Sequence, residues 1–153
     1  MGEAWYFAKV QWEDRKTTEE MVPKVLEFLK EIAECSQYWQ SVRGSVDPIK
    51  VNNLIISKYK KVFDILDIHQ PKPEKVDKYL NYLSGKLNSP LIFEDEFHYQ
   101  VKDCTLYFQG RVWNFANWGP LMEAMKTHFK AIKSGYVSKE NLEVDYYDYI
   151  NMT

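Results

Sequence analysis

From Ala4 to Trp12 apolar and polar positions alternate with period two, placing Tyr6, Ala8, Val10 and Trp12 on one face and Trp5, Phe7, Lys9 and Gln11 on the other. That period predicts a strand. The polar stretch Glu13–Lys16 ends it, and Thr17 stands three residues before Glu20, a capping-box spacing. A helical period follows to about Ser41, with Val22, Val25, Leu26, Leu29, Ile32 and Ala33 as its apolar stripe. Pro23 is expected in the first turn, where a missing N–H costs little. Asp47-Pro48 reads as a second helix start, an N-cap acid with proline at the first helical position. Val51, Leu54, Ile55, Val62 and Leu66 give that helix one apolar face up to the Pro71-Lys72-Pro73 connector. A third helix is predicted from about Pro73 to Leu87 on Val76, Leu80, Leu83 and Leu87, stopped by Asn88-Ser89-Pro90.

The period then returns to two. Phe97, Tyr99 and Val101 alternate with His98, Gln100 and Lys102, Asp103-Cys104 forms a turn, and Leu106 to Phe115 reads as the return strand. Gly110 within it suggests a bulge or twist point. Trp118-Gly119-Pro120 opens a fourth helix on Leu121, Met125, Phe129 and Ile132, with Gly135 as its C-terminal cap. Leu142, Val144 and Tyr146 begin a final strand. The order β-α-(α-α)-β-β-α-β predicts an α+β fold. It is a ferredoxin-like βαββαβ antiparallel four-stranded sheet, helices on one face, with an extra helix pair inserted after the first helix. No repeat, low-complexity tract or linker divides residues 1–153, so a single domain is expected.

Composition sharpens this. Hydrophobic residues make up 45% and aromatics 16%, with five Trp and eleven Tyr. A core of this size does not need that many rings, and the polar atom of Tyr and Trp wants a partner or water, so some should reach the surface. Net charge is −2. Residues 50–88 are mildly basic and the two flanks mildly acidic, a weaker bias than nucleic-acid binders usually show. Cys35 and Cys104 lie far apart in no CxxC pair, and the N-terminal stretch lacks the apolar core of a secretory signal, which together predict reduced thiols in the cytoplasm. No apolar run approaches the roughly 20 residues of a membrane span, so no membrane role is expected.

Candidate chemistry is sparse. His69, His98 and His128 form no HxxxH or HxH pair, and no metal or cofactor is expected. Serine-nucleophile and phosphate-loop motifs are absent. The acidic run Glu94-Asp95-Glu96 could serve a small enzyme only through Glu94 and Glu96, because adjacent strand residues point to opposite faces. Its other use is as charge complementary to a basic partner, joined by the acids of Glu143–Asp148. Lys58, Lys60 and Lys61, with Lys72, Lys75 and Lys78 nearby, could instead contact phosphates, with Tyr59, Tyr79 and Tyr82 adding stacking. Arginine, the better phosphate reader, occurs only at Arg15, Arg43 and Arg111.

The first 45 residues resemble small immunity proteins of bacterial polymorphic-toxin systems. The features are the aromatic strand Trp5–Trp12, the charged turn, and the long amphipathic helix ending in Tyr38-Trp39 before Arg43-Gly44. The resemblance implies a cytoplasmic protein of bacterial or phage origin that occludes another protein without catalysis of its own. The function expected is therefore a non-catalytic, inhibitor- or immunity-type protein-binding module. Trp113, Trp118, Tyr147 and Tyr149 would be its anchors, and Glu94, Glu96, Asp145 and Asp148 its complementary charge. The alternatives are a nucleic-acid-binding accessory protein using the six lysines and a small enzyme using Glu94 and Glu96. A free sheet edge would also permit a homodimer.

Overall fold

The computed structural model describes residues 3–42, 47–68, 70–79, 97–113 and 116–139. Its architecture is α+β, with one antiparallel four-stranded sheet and packed helices. The strand predicted first, β1 (Glu3–Gln11), pairs on both sides. It runs antiparallel to β3 (Thr105–Trp113), with Tyr6 opposite Gly110, and to β4 (Lys133–Lys139), with Tyr6 opposite Ser138. β2 (His98–Lys102) pairs antiparallel with the far side of β3, giving the order β2-β3-β1-β4.

The β2–β3 hairpin turns on Asp103 and Cys104, both with left-handed backbone (φ 50° and 61°), as a two-residue primed turn requires. The Trp12 N–H donates to the Cys104 carbonyl at 2.9 Å and ties this turn to the end of β1. Gly110 makes no bulge. The register runs unbroken through it, from Ala8 opposite Phe108 to Trp5 opposite Arg111.

Helix α1 spans Arg15–Val42 and starts two residues before Thr17. The carboxylate of Asp14, not the Thr17 hydroxyl, accepts the first free amide, from Thr17 at 2.7 Å. This bond holds the Asp14 carboxyl below its ordinary value. With the start moved back, Pro23 lies inside the helix rather than in its first turn. α2 (Pro48–Lys58) begins as predicted, the Asp47 carboxylate accepting from the Lys50 N–H at 3.1 Å. The expected long second helix breaks at Tyr59 (φ −114°, ψ 32°), beyond which α3 (Lys60–Ile65) continues. Leu54, assigned to the apolar face, is half exposed. In the third predicted helix, Pro73–Lys75 form a 3₁₀ turn and 76–79 are helical. Leu80, Leu83 and Leu87 lie outside the described residues.

α4 (Gly119–His128) stops earlier than its apolar stripe suggested. Lys130 takes a left-handed φ of 61°, and the Ala131 N–H turns back to the Met125 carbonyl at 3.0 Å. The Ile132 N–H then joins Gln11 at 2.8 Å and feeds the chain into β4. Gly135 is therefore a strand residue and not a cap, and Ile132 is exposed. The strand expected from Leu142 falls outside the described residues. The role expected of a fourth pairing strand is filled by β4.

Two apolar clusters result. In the first, Tyr6, Ala8 and Val10 of β1, Trp12 just beyond it, and Leu106 and Phe108 of β3 meet Val25, Phe28, Leu29 and Ile32 of α1 and Leu121 and Met125 of α4. The buried Trp12 indole N–H donates to the Phe129 carbonyl at 2.6 Å, capturing a carbonyl that the end of α4 leaves unbonded. The second cluster joins Cys35 and Trp39, from the later turns of α1, to Ile55, Phe63 and Val76. Trp39 donates to the Asp77 carboxylate at 2.7 Å, and the Asn52 amide donates to the Pro73 carbonyl at 2.8 Å, so polar bonds close this annex. The opposite face of the sheet is also buried at its centre, where Phe7 is 0% and Tyr107 7% exposed. None of the helices among the described residues is long and apolar enough to cross a membrane.

Candidate functional site

A broad concavity lined by described residues lies where the later turns of α1 face α2 and α3. Glu31, Glu34 and Tyr38 recur on α1 at steps of three and four, which places them on one stripe of the helix. The break at Tyr59 brings Lys58, Tyr59, Lys61 and Val62 to the other wall. The groove holds about 740 Å³ and is also lined by Gln37 and Ser41.

Its side chains engage one another. The Lys58 ammonium stands 4.5 Å from the centroid of the Tyr38 ring and 5.8 Å from that of Tyr59. The two rings are themselves 6.1 Å apart. Lys61 reaches Glu31 at 3.5 Å, and the Tyr59 hydroxyl donates to the Glu34 carbonyl at 3.4 Å. Burial raises the Tyr59 phenol, with the neighbouring Cys35, Glu34 and Tyr38 adding to the rise. Below the groove Cys35 is fully enclosed, and burial pushes its thiol up to about 12. A thiol so placed stays protonated and inert at neutral pH. Among the described residues no group of three His, Cys, Asp or Glu side chains is gathered that could hold a metal ion.

The lysines of the nucleic-acid reading divide in two. Lys60 pairs with Asp64 at 3.5 Å and Lys61 with Glu31, while Lys58 stacks on tyrosine. Lys72, Lys75 and Lys78 are exposed, and no carboxylate among the described residues pairs with them. Tyr79 is half-buried edge-on against Phe63, 5.8 Å between centroids, and Tyr59 is half-buried in the groove. Tyr82 lies outside the described residues.

Of the partner-binding residues, Glu94, Glu96, Asp145, Tyr147, Asp148 and Tyr149 also lie outside the described residues. Trp113 is placed at the end of β3, opposite Glu3. Trp118 needs correction. It is 0% exposed, with its ring 5.1 Å from Tyr6, 5.8 Å from Phe108 and 6.1 Å from Tyr136, so it is a core residue and no accessible anchor. Reading the sequence missed Glu31, Glu34 and Tyr38. Their shared stripe was readable, but the lysines facing it come from a helix whose packing no local pattern reveals.

Comparison with protein-family models, with curated proteins and with solved structures finds no significant match to this chain.

Proposed function

We propose that this protein is a non-catalytic protein-binding module of inhibitor or immunity type, on a ferredoxin-like βαββαβ scaffold with the α2–α3 annex inserted after α1. The strand order β2-β3-β1-β4 supports that scaffold. One observation carries the functional reading: the later turns of α1 face α2 and α3 across an open groove of about 740 Å³ whose walls are charged and aromatic, Glu31, Glu34 and Tyr38 on one side and Lys58, Tyr59 and Lys61 on the other. The groove side chains form ion pairs and ring contacts with each other, as suits a surface that fixes a partner's register.

The test is affinity capture from the native host lysate with the tagged full chain, read by mass spectrometry and by nuclease-sensitive staining. One stoichiometric protein is expected, lost when Glu31 and Glu34 are both changed to Lys. Reversing Glu94, Glu96, Asp145 and Asp148 tests the acidic surface in the same assay. Capture of no protein at all would refute the reading. A second reading, nucleic-acid binding, is favoured by the exposed Lys72, Lys75 and Lys78. It requires nuclease-sensitive material whose retention falls steeply with salt.

A further inference from the structure

A second concavity lies on the sheet face turned away from the helices, between β1 and β4. The antiparallel register sets Lys9 opposite Gly135 and Gln11 opposite Lys133. All four are on this face because side chains alternate along a strand. Gly135 has no side chain to fill the space between the two lysines, and a Cβ built there meets nothing within 4 Å. The result is a pocket of about 390 Å³ lined by Lys9, Gln11 and Lys133, with the backbone of Ser134, Gly135 and Tyr136 beneath and Val137 at one end. Lys133 is exposed. Lys9 is half-buried, its ammonium 5.9 Å from the Tyr107 ring centroid. Elsewhere on this face the register also places the charged residues Lys102, Arg111 and Lys139, with the acid Glu3 at the far end of β1, six residues from Lys9.

We propose that this pocket receives the carboxylate side chains of an acidic segment of the partner protein, with Lys9 and Lys133 flanking the carboxylate, Gln11 donating to it, and Val137 covering its methylenes. The inference rests on the protein-binding reading and names the sign of the partner. It makes the partner acidic at this face, whereas the sequence pointed to a basic one. Nucleic acid fits less well, because single strands are held by stacking on open rings. The rings at the centre of this face, Phe7 and Tyr107, are 0% and 7% exposed.

The experiment follows amide resonances of the full chain during titration with a hexaglutamate peptide, with inorganic phosphate and an oligothymidylate as separate arms. Saturable shifts confined to Gln11, Ser134, Gly135 and their neighbours are expected with the peptide. The double variant Lys9→Gln/Lys133→Gln should weaken binding about tenfold, in keeping with one exposed and one half-buried ion pair. Gly135→Val fills the pocket and leaves both lysines in place. It should fold at least as well as the parent, since a β-branched residue suits an open strand position, and should abolish the shifts. Unaltered binding in either variant, or shifts spread over every lysine surface, would overturn the proposal. So would phosphate binding as tightly as the peptide, or oligothymidylate binding more tightly at the same residues. A captured protein partner that tolerates both variants sinks this inference and leaves the binding-module reading standing. Intact hexaglutamate binding with no protein partner does the opposite.

Discussion

The sheet layer and the helical annex share one helix and are held by different means. Earlier turns of α1 lay Val25, Phe28, Leu29 and Ile32 on the sheet, where β1 is bonded on both edges and aromatic rings fill the layer. Later turns carry Cys35 and Trp39 into a small cluster bordered by half-buried residues such as Tyr38, Val51, Tyr59 and Tyr79. There the closures are single polar bonds, Trp39 to Asp77 and Asn52 to Pro73. The sheet exchanges chain entropy for many mutually supporting backbone bonds, while the annex depends on few contacts. Regions of the second kind occupy the low end of local stability. The groove sits on the annex and the basic pocket on the sheet, so the two candidate surfaces differ in how firmly they are held.

The largest effects should come from emptying each core in turn. Trp118→Ala should cost about 3–5 kcal/mol and lower the urea midpoint of the whole chain, because its buried ring stands against Tyr6, Phe108 and Tyr136 on three different strands. Ile55→Ala should cost about 2–5 kcal/mol. Its signature should be faster amide exchange in α2, α3 and 76–79, with β1 and β3 still protected. Equal loss of protection in the sheet would show that the two regions unfold as one.

A smaller effect separates them by pH. The folded Cys35 thiol titrates at about 12 against an ordinary 9.0. In the unfolded chain it loses its proton first, so its contribution is whole below pH 9 and is lost as pH rises toward 12. Urea midpoints at about pH 8 and about pH 10.5 should converge in Cys35→Ala relative to the parent. An unchanged alkaline slope would show the thiol to be more open than the fold implies. The smallest effect belongs to the β2–β3 turn. Cys104 holds a left-handed φ of 61°, which a side chain disfavours. Cys104→Gly should raise stability by about 0.5–1 kcal/mol, the flexibility of glycine offsetting part of the relief. A fall in melting temperature would contradict it.

How much of this could be read from the chain depends on whether a local signal had one meaning. β1 was legible because period two continues through nine residues and both of its faces are used. The start of α1 was not, since Asp14 and Thr17 both have cap-compatible spacing and only the bond to the Thr17 N–H decides between them. The end of α4 escaped because Lys130, not a glycine, adopts the left-handed turn. Trp118 was misplaced for another reason. An excess of aromatics says that some rings are outside but not which, and the helix opening at Gly119-Pro120 turns this one inward. The Lys58–Lys61 stretch was legible as a charged face. Its pairing with Glu31 and Tyr38 is a product of packing between segments distant in sequence.

The central place of β1 also sets a timetable. Tyr6 finds its partners at Gly110 and Ser138, so a chain growing from the ribosome carries the Trp5–Trp12 aromatics unpaired until about a hundred further residues have emerged. The α1–α2–α3 contacts close over far shorter stretches and can form first. A nascent chain would thus present an ordered annex beside an unpaired, ring-rich strand. This is the kind of edge that chaperones cover and that aggregates when translation stalls before β3 emerges.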